Sequence, residues 1–282
     1  LMQRGIETKW VPPQIVLRSV PDQIKAQFEI DVQDSPLYEP FREFPESFSP
    51  DSRQVLEQKG QSIIETDVFP AYKKLHTFFT ETYFPACRGT IACSEFPDGE
   101  AYYRSRIRHY TTTELTAKEI HQTGLKEVAR IKEEMQKVIN DVGFEGEFAD
   151  FLTFLRTDPQ FYFSSAEALL NEYRNICKKA DAQLPHLFGL LPRLPYGVRP
   201  IPDYQAPASP TAYYYSGSQE AGRPGYFMAN AYRLETRPKY EMEALSLHEA
   251  VPGHHLQISL AQELEKIPKF RRYGGYTAFV EG

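Results

Sequence analysis

The most informative stretch of the chain is Glu241-Met242-Glu243-Ala244-Leu245-Ser246-Leu247-His248-Glu249-Ala250-Val251-Pro252-Gly253-His254-His255-Leu256-Gln257. Three of the seven histidines fall within eight residues here, and Glu249 directly follows the first. A helix bearing H-E-x-x-H holds zinc between two imidazoles one turn apart and sets the Glu to act on water. Here the fourth residue after His248 is Pro252, so the strict spacing fails. Pro252 has no N–H and its ring clashes with the carbonyl four residues back, so the helix must distort. Gly253 tolerates the dihedrals that a distortion needs. A two-residue bulge ending at Gly253 returns His254 to the phase of a second ligand. In a regular helix His255 would instead share the face of His248, about 10 Å further along the axis, a gap two imidazoles barely span. His254 is therefore the preferred second ligand and His255 the alternative, with a helix break expected between Ala250 and His255. The competing reading is a surface helix with scattered histidines, ended by Pro-Gly.

Catalytic zinc commonly takes three protein ligands and keeps one position open. Glu263, Glu265 and Glu281 are the candidates for the third. The first two lie in a charged run, Gln262-Glu263-Leu264-Glu265-Lys266, which reads as a solvated face. Glu281 is the only carboxylate in Tyr276-Thr277-Ala278-Phe279-Val280-Glu281-Gly282. A lone carboxylate among apolar residues needs a partner, and a metal is one.

Upstream, Ala212-Tyr213-Tyr214-Tyr215 and Tyr226-Phe227-Met228-Ala229-Asn230-Ala231-Tyr232 are aromatic runs bounded by Gly and Pro. They read as two strands of a small antiparallel sheet within 211–232. Asn230 either lies along a cleft, where an edge strand pairs with an extended substrate, or is an ordinary sheet residue. Arg223, between two turn-forming glycines, is either a partner for a substrate carboxylate or an exposed turn residue. Tyr213, Tyr214 and Tyr215 offer an oxyanion donor or rim packing, with Tyr215 taken as a substrate contact.

The rest of the chain reads as helical. Residues 117–140 show a capping box, Thr116 with Glu119, ahead of Ile120, Gly124, Val128, Ile131, Met135 and Val138 at three- and four-residue steps. Ser164 and Glu167 repeat the signal for a helix over 166–184. Residues 53–84 form another helical run, which Pro70 should kink or divide. A short helix is expected over 21–30. Seven prolines between 185 and 210 mark an extended connection. The fold class is mainly α with a small antiparallel sheet, an α+β chain forming a single domain over 1–282.

Composition limits the function classes. Of 282 residues, 41% are hydrophobic and 25% charged, the ordinary globular range. The net charge of −6, from 32 basic and 38 acidic residues, leaves no basic stripe for nucleic acid. No apolar run approaches the roughly 18 residues a membrane span requires. Aromatics reach 13%, with 18 Tyr and 19 Phe, which suits clefts as well as cores. Among three cysteines no C-x-x-C occurs, so a thiolate zinc site is unsupported; Cys87 and Cys93 are either a short disulfide or free thiols. The start, Leu1 to Gly5, does not read as an intact signal peptide.

Several of these motifs occur together in one family. Gly222-Arg223-Pro224-Gly225 to Asn230, His248 to Gln257, and Phe279-Val280-Glu281-Gly282 resemble the bacterial family labelled domain of unknown function 885. The segment Arg108-His109-Tyr110-Thr111-Thr112 before the capped helix resembles it too. Members look like gluzincin-type zinc metallopeptidases, distantly similar to thimet oligopeptidase and angiotensin-converting enzyme. The resemblance implies Zn2+ on His248, one of the adjacent histidines and Glu281, with Glu249 as general base. It implies a periplasmic or lipid-anchored envelope protein of about twice this length. The family pattern continues past Gly282, so a fragment is expected, with an exposed metal site, uncovered apolar surface near Phe279 and reduced activity. The rest of a longer chain, or a second copy, is the expected partner.

The leading expectation is a zinc-dependent hydrolase acting on peptide bonds. A metal hydrolase on a non-peptide amide shares every one of these residues. A binding protein with a degenerate, empty metal site is the non-enzymatic alternative.

Overall fold

A proline early in a helical run decides how the first part of the chain folds. Ser49 accepts a hydrogen bond from the Ser52 N–H and opens a helix with Pro50 at its first position. The computed structural model describes residues 1–282 and divides them into two compact units, Leu1–Arg106 and Ile107–Gly282. In the first unit, α1 (Met2–Thr8) and α2 (Val20–Lys25) precede α3 (Pro50–Ile63), α4 (Phe69–Phe78) and α5 (Phe84–Ala86). The last three are joined by π-helical turns at Ile64–Val68 and Phe79–Tyr83. Each π turn ends just before a proline, Pro70 or Pro85. The Phe69 N–H reaches back five residues to Ile64 O, and the Phe84 N–H to Phe79 O. The widened turn moves aside the carbonyl that the following ring would strike. The expected disturbance at Pro70 is thus a π turn within continuing helix. Val11, Phe79, Tyr83 and Cys87 form one small core of this unit, and Val32, Tyr38 and Ile64 another.

The unit boundary falls within α6 (Gly99–Thr111). The second unit continues with α7 (Ala117–Asp141), α8 (Phe148–Thr157), α9 (Ala166–Asp181) and α10 (Leu184–Leu187). Thr116 and Glu119 form the expected capping box of α7. The cap of α9 is Ser165 rather than Ser164, accepting from the Ala168 N–H. Only Ile139 of α7 is buried, while Val128, Ile131 and Val138 lie exposed. The stripe expected to make helix contacts is therefore open.

Three strands follow: β1 (Tyr196–Pro200), β2 (Ala212–Tyr215) and β3 (Gly225–Ala229). Their order is β1-β3-β2, with β3 parallel to β1 and antiparallel to β2. The expected two-stranded antiparallel sheet is thus a three-stranded mixed one, and its added strand lies inside the proline-rich segment. Pro195 and Pro200 bracket β1, and at a sheet edge a missing N–H costs no ladder bond.

Four helices complete the chain: α11 (Met242–Glu249), α12 (His254–Glu263), α13 (Lys269–Tyr273) and α14 (Thr277–Val280). Leu169, Leu170, Tyr173 and Cys177 of α9 pack with Val198, Ala212, Phe227 and Ala229 of the sheet and with Met242 and Ala250. This core fixes the sheet against the start of α11, which sets the position of the histidine segment. No helix is long and apolar enough to cross a membrane. The three cysteines are free thiols, and burial pushes Cys177 up to about 11.

Candidate metal centre

Met242 and Ser246 are each 1% exposed and share the core-facing side of α11. The Ser246 hydroxyl donates to Met242 O at 2.7 Å, so this polar group costs the core little. One turn later the backbone leaves the helix at Ala250 (φ −103°, ψ −103°) and passes through a cis Val251–Pro252 bond. Gly253 N–H then donates to Leu247 O at 2.9 Å, a bond spanning six residues in place of four. Two residues are looped out, and Gly253 stands where the fourth residue after Leu247 would stand. His254 consequently follows His248 in the phase of a second ligand, and α12 resumes there.

The loop needs glycine at position 253 for reasons of space. A Cβ there would meet His248 O at 1.9 Å and Leu247 O at 2.5 Å.

Three side chains converge at the break. His248 Nε2 lies 3.4 Å from Glu281 Oε2, and His254 Nε2 lies 3.7 Å from the same oxygen. One donor atom from each of His248, His254 and Glu281 falls within 4.8 Å of the others. Glu281 reaches the group from the end of α14, which Gln257 of α12 tethers by donating its amide N–H to Phe279 O. The three residues line a cavity of about 330 Å³ with Glu249, Ala212, Tyr213, Tyr214, Ile258 and Val280. His254 is largely buried, whereas the side chains of His248 and Glu281 are 44% and 53% exposed. Phe279, expected to be uncovered, is 71% exposed.

Glu249 occupies the floor of the group. Its Oε2 is buried without a hydrogen-bond partner and lies 4.0 Å from His254 Nε2. Burial raises its carboxyl above the ordinary value, and Glu281 adds to this; His248 and the Tyr214 N–H pull it down. His254 is shifted below the ordinary imidazole value, first by burial and then by His248, with Glu281 opposing. The neutral imidazole that a metal requires is thus the favoured form of His254.

His255, the alternative ligand, points elsewhere. Its Nε2 donates to Leu194 O at 3.0 Å, and its Nδ1 meets the Tyr214 hydroxyl at 2.9 Å. Both ring nitrogens are engaged with protein groups. Glu263, also considered as a ligand, is paired with Arg193 at 3.0 Å.

The expected substrate contacts fall into different places. Asn230 is 1% exposed, and its amide donates to Ala206 O at 2.9 Å and Pro210 O at 3.0 Å. Its carbonyl accepts the Tyr232 N–H at 3.0 Å. Asn230 therefore clamps the 206–210 loop and offers nothing to a cleft. Arg223 stacks its guanidinium 4.6 Å from the Tyr215 ring centroid, and neither residue lines the cavity beside His248 and His254. The Tyr214–His255 bond and the Gln257 tether were not foreseen from the sequence. Both join residues distant in sequence, so no local spacing announces them.

Residues 1–282 match the model of a family described as bacterial protein of unknown function (DUF885). The chain belongs to this family. No curated protein matches it. Within reach of this DUF885 chain is a crystal structure from Colwellia psychrerythraea, described as that of a "putative lipoprotein". The two are 26% identical, with a TM-score of 0.90. The alignment covers 100% of this chain and 49% of the other, so this DUF885 chain spans about half the length of that relative.

Proposed function

We propose that the chain is the zinc-binding part of a hydrolase that cleaves peptide bonds with Glu249 as general base, as in gluzincin-type metallopeptidases. The observation that carries the reading is the convergence of His248, His254 and Glu281 beside a buried carboxylate with an unpartnered oxygen. Two imidazole nitrogens and one carboxylate oxygen are a usual donor set for catalytic zinc. Tetrahedral bonds of about 2.1 Å would set neighbouring donors about 3.4 Å apart. The spacings of 3.4 Å and 3.7 Å to Glu281 fit that requirement.

His248, His254 and Glu281 would hold the ion. Bound zinc supplies Lewis acidity, which polarises a carbonyl and makes water acidic enough to deprotonate near neutral pH. Glu249 would take the proton and return it to the departing amine. Its orphaned oxygen lacks a competing donor, and its raised affinity for protons suits the task. The edge strand β2, with Ala212 and Tyr213 on the cavity wall, would align an extended chain by main-chain hydrogen bonds. The description of the Colwellia relative supports an envelope location.

The test is digestion of a quenched-fluorescent peptide library by the zinc-loaded protein. Cleavage that 1,10-phenanthroline abolishes and added zinc restores supports the reading. A zinc-loaded protein that cleaves no peptide, but hydrolyses non-peptide amides, would replace the substrate class.

A further inference from the structure

His255 is buried, adjoins a proposed ligand and faces away from the metal group. Its hydrogen bonds define its tautomer. A carbonyl only accepts, so the bond to Leu194 O at 3.0 Å requires the proton on Nε2. In the neutral ring Nδ1 is then an acceptor, and the Tyr214 hydroxyl donates to it at 2.9 Å. Ser259 Oγ stands 3.3 Å from the same nitrogen, whose single lone pair the closer Tyr214 hydroxyl occupies.

The contact has a space requirement. A Cβ on Gly225 would meet the Tyr214 hydroxyl oxygen at 2.3 Å and His255 Nδ1 at 2.8 Å. Gly225, the first residue of β3, leaves the room in which phenol and imidazole meet. This gives a physical reason for the glycine that closes Gly222-Arg223-Pro224-Gly225.

The bond joins two elements that serve the site from opposite sides. His255 is in the first turn of α12, directly after His254. Tyr214 is in β2, whose other side in the sheet is unpaired, and Ala212, Tyr213 and Tyr214 all line the cavity with Glu249. Among the strands β2 pairs with β3 alone, the Tyr214 N–H on its other edge meets the Glu249 carboxyl, and the Tyr214–His255 bond adds a tie to α12.

We infer that His255 is a positioning residue: through the Tyr214 hydroxyl it holds the edge strand β2 against α12 and so helps set the gap between that edge and Glu249. The inference rests on the proposed peptidase reading for its functional consequence. Its structural content stands without that reading.

The two bonds of His255 are separable. Asn in place of His sets a carbonyl oxygen near the position of Nδ1 and keeps the acceptor for Tyr214, losing the donor to Leu194. Gln sets an amide N–H near the position of Nε2 and keeps the Leu194 bond, losing the acceptor. The experiment compares Tyr214→Phe, His255→Gln and His255→Asn with the unaltered protein, all loaded with Zn2+. Amide hydrogen exchange over 212–215, zinc stoichiometry, the 15N shifts of the His255 ring, and kcat and KM on a library-derived peptide are measured.

The unaltered protein should show a protonated Nε2 and an unprotonated Nδ1. Tyr214→Phe and His255→Gln should each bind one zinc, raise the exchange rates of the β2 amides at least tenfold, and raise KM more than they lower kcat. His255→Asn should recover most of the exchange protection. Equal loss of protection in His255→Asn and His255→Gln would overturn the inference, as would unchanged exchange in Tyr214→Phe. Loss of zinc in Tyr214→Phe would also overturn it and make His255 a brace for the ligand helix. If no variant and no unaltered protein cleaves peptide but the exchange pattern holds, the peptidase reading fails and the positioning role stands.

Discussion

Glu249 gathers the residue-scale consequences. It is 5% exposed, beside two histidines, and its Oε2 has no donor. Glu249→Gln removes the base without removing a ligand. The variant should retain zinc, while kcat falls by a factor on the order of 10²–10⁴. Turnover within a few fold of the unaltered protein would remove Glu249 from the chemistry. The same group gives a pH signature in metal-free protein. Burial holds His254 and His255 below the ordinary 6.5, so the unfolded chain binds their protons first. Stability from these two is complete above pH 6.5 and declines as pH falls towards their folded-state values. Glu249 is raised above 4.5 and acts with the opposite sign. Its contribution is complete below pH 4.5 and lost as pH rises through the folded value. Urea unfolding at pH 7.5 and 4.5 should therefore show metal-free Glu249→Gln losing more stability on acidification than the parent. A smaller loss in the variant would contradict the assignment of these shifts.

The interruption between α11 and α12 governs behaviour at the scale of elements. Gly253→Ala places a methyl 1.9 Å from His248 O, so the loop must move. Since overpacked sites lose typically 1–3 kcal/mol, we expect a loss of about 3 kcal/mol, seen in urea unfolding. Zinc affinity should fall at least a hundredfold, because His254 would leave its phase with His248. Retained affinity would show that the bulge is not what aligns the ligands. This break was legible beforehand: Pro252 and Gly253 forbid a regular turn, and a two-residue offset is what brings His254 into phase. The capping box of α7 was equally legible, because Thr116 and Glu119 are local to one turn. β1 was not. Prolines at 195 and 200 mask a five-residue strand, and its partner β3 lies some 30 residues further along the chain. Pro70 was read correctly as a disturbance, but its form as a π turn depends on the backbone five residues back. Asn230 was misplaced because nothing in its own neighbourhood shows that its amide is occupied by Ala206 and Pro210.

For the whole molecule, the question is what holds the metal residues in place. Phe227 is fully buried in β3 and packs edge-on to Tyr173 of α9 at 4.9 Å. The same core contains Met242 and Ala250, which bracket the segment bearing His248 and Glu249. Phe227→Ala should cost about 3–5 kcal/mol in urea unfolding. It should weaken zinc binding although residue 227 lies outside the cavity. Full affinity in a destabilised Phe227→Ala protein would show that α11 is held independently of the sheet. The proposal requires this fold to assemble one zinc site from His248, His254 and Glu281. It is tested most directly by metal analysis combined with zinc X-ray absorption on the purified protein, alongside His254→Ala and His255→Ala. The account predicts one zinc per chain bound by two imidazoles and one carboxylate, lost in His254→Ala and retained in His255→Ala. Zinc that survives His254→Ala, or is lost only with His255, would contradict it.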